Sequence, residues 1–219
     1  MPNYDDLQNK KNSLIRKSLD GSAFLAPSGA DPIDYITGAD GSLVVLPTDW
    51  DDVGYLTTDG MAHSRAVTTS DVTSFGRTTP TRSDITADTT TITIAAQETK
   101  LLTMSLATGA DLTSVVPQPG GEVRFRKPQT PSQRTYRLLT MAVDLTEDGE
   151  IYIARFFPRA KVTAFADQAF TGGDEALLWG ATFTGQYDDT LGFAEAWHFG
   201  GPGWLALLDD AGFPPPAAA

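Results

Sequence analysis

Apolar and polar residues alternate with a period of two in several stretches of this chain, and with a helical period in one main stretch. The clearest strand signal is Thr89–Ala96, where Ile92 and Ile94 point one way and Thr91 and Thr93 the other. Tyr136–Leu145 and Glu150–Phe157 flank Glu147-Asp148-Gly149 and predict a hairpin with Leu139, Met141 and Val143 on its apolar face. Leu177–Tyr187 and Leu191–Phe199 predict a second hairpin around Asp188-Asp189-Thr190. One face of it carries Leu177, Trp179, Ala181, Phe183 and Tyr187; the other carries Gly180, Thr182, Thr184 and Gln186. Lys161–Phe165 and Ser42–Leu46, the latter stopped by Pro47, read as further short strands. Such one-sided strands suit antiparallel sheets, packed on one face and wet on the other.

The helical stretch holds Leu101, Leu102, Ser105 and Leu106 on one side, with Gly109 where a helix would end, and predicts a helix over Gln97–Thr108. Asp5–Leu19 and Trp204–Leu208 are candidates for short helices, the first with an apolar face too thin to stand without a partner. Gly21–Gly41 is rich in Gly, Pro, Ala and Asp and reads as an extended arm. Val53, Tyr55 and Leu56 read as a strand closing in a turn at Asp59-Gly60. Residues 61–88 show no periodic pattern and read as a long irregular loop, a feature usually functional in a compact domain. The fold class expected is mainly β, an antiparallel β-sandwich or barrel flanked by one main helix.

At 219 residues the chain suits one domain with extensions: an amino-terminal arm over 1–41, a β domain over 42–213, and a tail over 214–219. There is no cysteine, which removes disulfide frameworks and thiolate metal sites. No apolar run reaches the roughly 18 residues of a membrane span, and the region of Asp5, Asp6, Lys10 and Lys11 lacks the apolar core of a secretory signal. The expectation is a soluble protein made in the cytoplasm.

The formal charge of -12 is unevenly placed. Residues 18–64 hold eight Asp and no Lys or Arg, whereas 121–137 hold Arg124, Arg126, Lys127, Arg134 and Arg137 against Glu122 alone. No Lys or Arg follows Lys161. Solvated scatter would explain this; the sharper reading is that basic and acidic faces meet in self-assembly, where opposed charge sets register. So acidic a chain is a poor general binder of DNA.

Candidate chemistry is sparse. Asp49, Asp51 and Asp52 could ligate a hard cation, but the EF-hand pattern is missing and a solvated or interface loop is the simpler reading. His63 and His198 lie far apart in sequence, with no nucleophile motif near them. Asp144, Glu147, Asp148 and Glu150 gather at a hairpin tip, where carboxylates are usually just solvated. Gly200-Gly201-Pro202-Gly203 lacks the Lys-Ser/Thr of a phosphate loop and reads as a turn. Trp50, Trp179, Trp197 and Trp204 read as core or interface anchors rather than sugar platforms. No cofactor and no enzymatic activity are expected.

The order Trp50, Asp51-Asp52, Val53-Gly54-Tyr55, Thr57-Thr58-Asp59-Gly60, then Phe75-Gly76-Arg77, Pro80-Thr81-Arg82, a Thr/Ile strand and Gln97-Glu98-Thr99 resembles the major tail tube proteins of long-tailed bacteriophages, especially those infecting actinobacteria. Gly21–Pro27, Tyr136–Leu139, the strand around Thr182-Phe183, Asp189 and Gly200–Gly203 extend the likeness over residues 20–213. The resemblance implies a tail-tube β-sandwich forming homo-hexameric rings that stack around a tape-measure protein. Tail-tip or baseplate and tail-terminator proteins would bound the tube, and double-stranded DNA would pass down it without sequence-specific binding. It further implies a structural protein of the virion tail, assembled in the host cytoplasm.

On this reading 61–88 is an inter-ring loop, with Arg65, Phe75, Arg77 and Arg82 as contacts. The polar face of the second hairpin, Thr182, Thr184, Gln186, Asp188 and Asp189, is expected to line a net-negative lumen. The alternative is a β-sandwich receptor- or glycan-binding virion module, which needs an exposed aromatic platform.

Overall fold

A computed structural model describes residues 3–4, 7–170, 172 and 176–215. The described residues form eight strands: β1 (Asp20–Pro27), β2 (Asp51–Asp52), β3 (Leu56–Val72), β4 (Arg82–Ala96), β5 (Thr135–Thr146), β6 (Gly149–Phe165), β7 (Trp179–Gln186) and β8 (Ala196–Gly200). Two helices, α1 (Leu101–Thr108) and α2 (Pro202–Ala206), accompany them. The strands make one sheet in the order β2-β1-β5-β6-β7-β4-β3, with β8 also paired to β6, and every pairing is antiparallel.

The organising strand is β6, 17 residues long. Its first half pairs with β8 over Tyr152–Phe156 and its second half with β7 over Arg159–Phe165. Between the halves stands Pro158, which has no N–H to give a ladder, and opposite it β5 shifts register between Tyr136 and Leu138. The sheet folds over at this point. Ile92, Ile94, Ala181 and Phe183 of β4 and β7 thereby pack against Ala23, Leu25, Leu138 and Phe157 of β1, β5 and β6. The reverse face of β1–β5–β6 is covered by residues 28–50, through Ala30, Ile33, Ile36 and Trp50 against Leu139, Ala154 and Phe156. Neighbours Leu138 and Leu139, like Phe156 and Phe157, are therefore all buried although they point to opposite faces. The result is the mainly β, sandwich-like fold expected.

The first hairpin is present as read, and Lys161–Phe165 is the far end of its second strand. The main helix is shorter than expected, beginning at Leu101 rather than Gln97. Residues before it are committed elsewhere: the Gln97 N–H donates to the Tyr55 carbonyl and the Tyr55 N–H donates to Glu98, both at 2.8 Å. Gly54 makes that approach possible, since a Cβ there would stand 2.3 Å from the Glu98 carboxyl. Thr103 closes the helix start, accepting from the Lys100 N–H at 2.9 Å, and Gly109 ends it in the left-handed conformation.

Other expectations are corrected. The region 61–88 is not irregular: it forms most of a regular β3–β4 hairpin, with only 73–81 as its loop. Asp59-Gly60 is a bulge inside β3 rather than a turn, because Leu56 pairs with Ala96 while Met61 pairs with Ile94. The second hairpin does not exist as such: β7 lies between β4 and β6, β8 lies on β6, and only an isolated bridge, Asp188 to Phe193, joins their connection. Ser42–Leu46 is no strand: Ser42–Val45 are exposed, and the segment makes one isolated bridge, Thr37 to Leu43. The stretch expected as an extended arm begins inside the sheet as β1.

Of the candidate amino-terminal helix, Asp5 and Asp6 lie outside the described residues, and the rest shows one 3-10 turn at Asn12–Leu14. Polar tethers hold this segment instead: Lys11 to Asp210 at 2.5 Å and Arg16 to Asp144 at 3.2 Å. Helix α2 overlaps the one expected at Trp204–Leu208, with Pro202 favouring its first turn. Among the described residues no helix is long and apolar enough to cross a membrane.

Candidate functional site

The β3–β4 hairpin leaves the body. Met61 and Ile94 at its base pack in the core, whereas from Ser64 and Asp88 outward every residue is exposed. Among the described residues nothing lies beneath this arm, so its own cross-strand bonds hold it. Arg65 grips Asp88 with two bonds, at 2.8 and 2.5 Å, and that charge-assisted pairing holds the Asp88 carboxyl below its usual range. Arg82 pairs with Asp84 at 2.7 Å, and Ser74 with Thr81 at 2.8 Å across the tip. Val67, Val72 and Ile85 are exposed, and Phe75 at the tip is fully so. Of the four contacts expected here, Arg65 and Arg82 are engaged within the arm. Phe75 and Arg77 are presented at its end, Arg77 without an ion pair among the described residues.

At the base of the arm is a cavity of about 710 Å³, opened by the β3 bulge beside the start of β1. On its wall the His63 ring lies alongside Phe157, with centroids 6.2 Å apart, and its Nε2 is 3.0 Å from the Thr140 hydroxyl. Burial, and secondarily the Arg155 charge, push its pKa down to about 4, so His63 is neutral near pH 7. The Arg155 guanidinium sits 3.4 Å above the Trp197 ring centroid and pairs with Glu195, which also accepts from the Thr90 hydroxyl at 3.1 Å. His63 and Thr90 thus tie the arm's base to β5, β6 and β8. Hydropathy did not reveal this cluster. Size alternation could have, since small Ala62, Ser64, Ala66 and Thr68 interleave with Met61, His63, Arg65 and Val67.

The polar face expected on β7 is real, but its neighbours differ from those expected. Thr182 bonds Thr93 of β4 at 3.0 Å, and Thr184 bonds Thr163 of β6 at 2.8 Å. The register also sets Lys161 beside Thr184 and Arg159 beside Gln186, and directly paired residues share a face. Positive charge therefore stands on this surface, beside residues expected to line a net-negative lumen. Asp188 ties down the 188–191 turn, accepting the Thr190 and Leu191 N–H groups. Those bonds, the Leu191 one foremost, lower its pKa, helped by the charges of Arg137 and Arg159. Asp189 is exposed.

Residues 28–50 cover one side of the β1–β5–β6 layer, with Asp31, Asp34, Asp40 and Asp49 exposed. The loop carrying Arg124, Arg126 and Lys127 follows α1, which packs through Leu106 into the core on the other side. A row of rings, Trp197, Phe199, Trp204 and Phe213, runs from β8 over α2 with centroid spacings of 6.5, 5.2 and 6.0 Å. Trp197 in that row is 53% exposed. Trp50 is buried, and half-buried Trp179 donates to Thr99 at 3.0 Å.

The hairpin-tip carboxylates are dispersed. Asp144 is buried against Arg16 and accepts the Leu145 N–H at 2.9 Å, while Glu150 accepts the Tyr152 hydroxyl at 2.5 Å and raises its pKa to about 12. Asp52 accepts the Gly54 N–H at 3.0 Å. His198 pairs with Ala154 in the β6–β8 ladder, and burial lowers its pKa. Among the described residues no three His, Asp or Glu side chains converge as metal ligands.

Residues 9–195 match a family model described as phage tail tube protein. None of the curated proteins matches the chain.

Proposed function

The chain belongs to the phage tail tube protein family, and on that premise we propose that it polymerises as stacked homo-hexameric rings forming the conduit for DNA ejection. Membership already makes it a structural protein of the virion tail. The observation that carries the finer reading is the β3–β4 arm, a long regular hairpin with no core beneath it and an unburied Phe75 at its end. An isolated subunit gains nothing from exposing those apolar residues; a neighbouring copy in the next ring would cover them. Within a ring, the acidic 28–50 layer of one copy and the basic loop after α1 of the next are complementary in charge, a heterologous contact that closes into a ring where the rotation between copies closes.

Electron microscopy of the purified full chain tests this reading: hollow tubes or six-fold rings are expected, and discrete monomers at all concentrations overturn it. The further partners are a tape-measure protein in the lumen and tip and terminator proteins at the ends. Assembly takes place in the host cytoplasm.

The face bearing Thr182, Thr184 and Gln186 lines the lumen on this reading. Its small hydroxyls give phosphates little to hold, and Asp188 offsets part of the Arg159 charge. Particles carrying Thr182→Lys and Thr184→Lys should assemble but release DNA more slowly, with a steeper salt dependence. Unchanged ejection counts against that placement.

The aromatic row favours a second reading, a receptor- or glycan-binding module. Arg155 already covers one face of Trp197, which leaves less for a sugar to stack on. Glycan affinity in a chain that forms no rings, abolished by Trp197→Ala, would select this reading.

A further inference from the structure

We propose that the cavity at the base of the arm is the seat for the arm tip of a copy in the adjacent ring, Phe75 entering it and Arg77 pairing with carboxylates at its mouth. This rests on the docking reading of the arm and adds the receiving site.

Volume, charge and polarity of the cavity match that occupant. About 710 Å³ accommodates a phenyl ring with its flanking turn. Asp20, Asp52 and Asp59 line it without an ion pair among the described residues, and its one cationic lining residue, Arg155, is occupied by Trp197 and Glu195. A cation supplied from outside is what such a wall takes, and Arg77 has no ion pair among the described residues. Exposed Tyr55 and half-exposed Trp197 give the apolar and aromatic surface a phenyl ring packs on.

Placement adds an independent argument. Seat and tip lie at opposite ends of one arm, so docking one into the other repeats head to tail, the kind of contact that builds an open stack where its rotation does not close. From Met61 at the base to Phe75 at the tip is 14 residues, so at roughly 3.3 Å per strand residue the offset between successive copies is at most about 46 Å.

The chain has no cysteine, so a pair introduced at exposed sites reports the contact directly. Phe75→Cys places a thiol at the tip, and Thr58→Cys places one on the cavity rim. Within one subunit the arm keeps them far beyond the roughly 7 Å limit for a disulfide, so bridges form only between copies. Oxidising assembled tubes of the double variant should give a covalent ladder with no upper limit. Each single variant, and Phe75→Cys with Val45→Cys on the opposite layer, should stop at dimers or give none.

A ladder ending at one ring, or tubes of normal length without a ladder, overturns the seat. Tube length in Phe75→Asp/Arg77→Glu separates the two claims. Short or absent tubes with no Phe75–Thr58 bridge sink the seat alone, whereas normal tubes from that variant sink the docking reading itself. If the seat is right, Asp59→Lys should also recover part of the tube length lost in Arg77→Asp.

Discussion

The two ends of the β3–β4 hairpin are built from the same strands, yet they are stabilised differently. At the base, Ile92 and Ile94 are buried beside Phe183 and Phe157, and His63 and Thr90 are hydrogen-bonded to the body. Toward the tip, the backbone ladder, two exposed ion pairs and threonine hydroxyls are all there is. Exposed pairs of this kind contribute little. The base therefore holds the fold and the tip is free to serve something outside it. A hairpin with no packed face does not persist for its own stability.

The largest difference should appear between two phenylalanines. Phe157→Ala, in the shared core, is expected to cost about 3–5 kcal/mol by chemical denaturation, while Phe75→Ala should stay within about 0.5 kcal/mol. Comparable losses at both would mean the tip is packed after all.

The helix sharpens the same contrast over one turn. Leu106 is 6% exposed and Leu101 50%. Leu106→Ala should lower stability by about 2–5 kcal/mol, with Leu102→Ala, half-buried, less affected and Leu101→Ala least. Equal effects along the helix would show that it does not dock through this face.

The His63 contact makes the base of the arm pH-sensitive. Its folded pKa, about 4, lies below the ordinary value of 6.5, so the unfolded chain binds the proton more readily. Stability from this group is complete above pH 6.5 and is lost as pH falls from 6.5 toward 4. Allowing for its partial exposure, the loss is about 1–2 kcal/mol. His63→Gln should flatten the urea midpoint over that window; an unaltered pH slope would remove His63 from the account, leaving His198, shifted the same way by burial.

Smallest in stability and decisive for function is shortening the arm. Deleting Thr68–Thr79 alone would leave 82–85 and Ala87 without partners, whereas excising 69–86 and bridging Thr68 to Ala87 with Asn-Gly respects the register. The shortened chain should melt within a few degrees of the parent and form no long tubes. Normal tubes would show that the arm's exposed half has no assembly role. Arg65→Gln, which breaks an exposed pair, should leave the denaturation midpoint where it was.

Much of the body was legible because local pattern and burial agree there. Ile92 and Ile94 alternate with threonines, Leu139, Met141 and Val143 lie on one face, and Glu147-Asp148-Gly149 turns the first hairpin. The arm was illegible for the opposite reason: with both faces in water there is no hydropathy alternation, only β-branched threonines and a size pattern. Phe75 and Arg77 stood out as residues, while the cavity that would receive them did not, because Asp20, Asp59, Arg155 and Trp197 meet only in three dimensions.

By itself the sequence determined the mainly β class, the position and face of the best strands, the lone main helix, the absence of cysteine chemistry and the order of motifs that marks the family. Each of these depends on residues close together along the chain. Tertiary structure decided which strands are neighbours. Pro158 interrupts β6, so β8 and β7 take its two halves and the apparent second hairpin is split between them. That partition, set by pairing over long sequence separations, also placed Arg159 beside Gln186 and Lys161 beside Thr184. The charge of that face was thus fixed by strands that no local pattern identifies as partners.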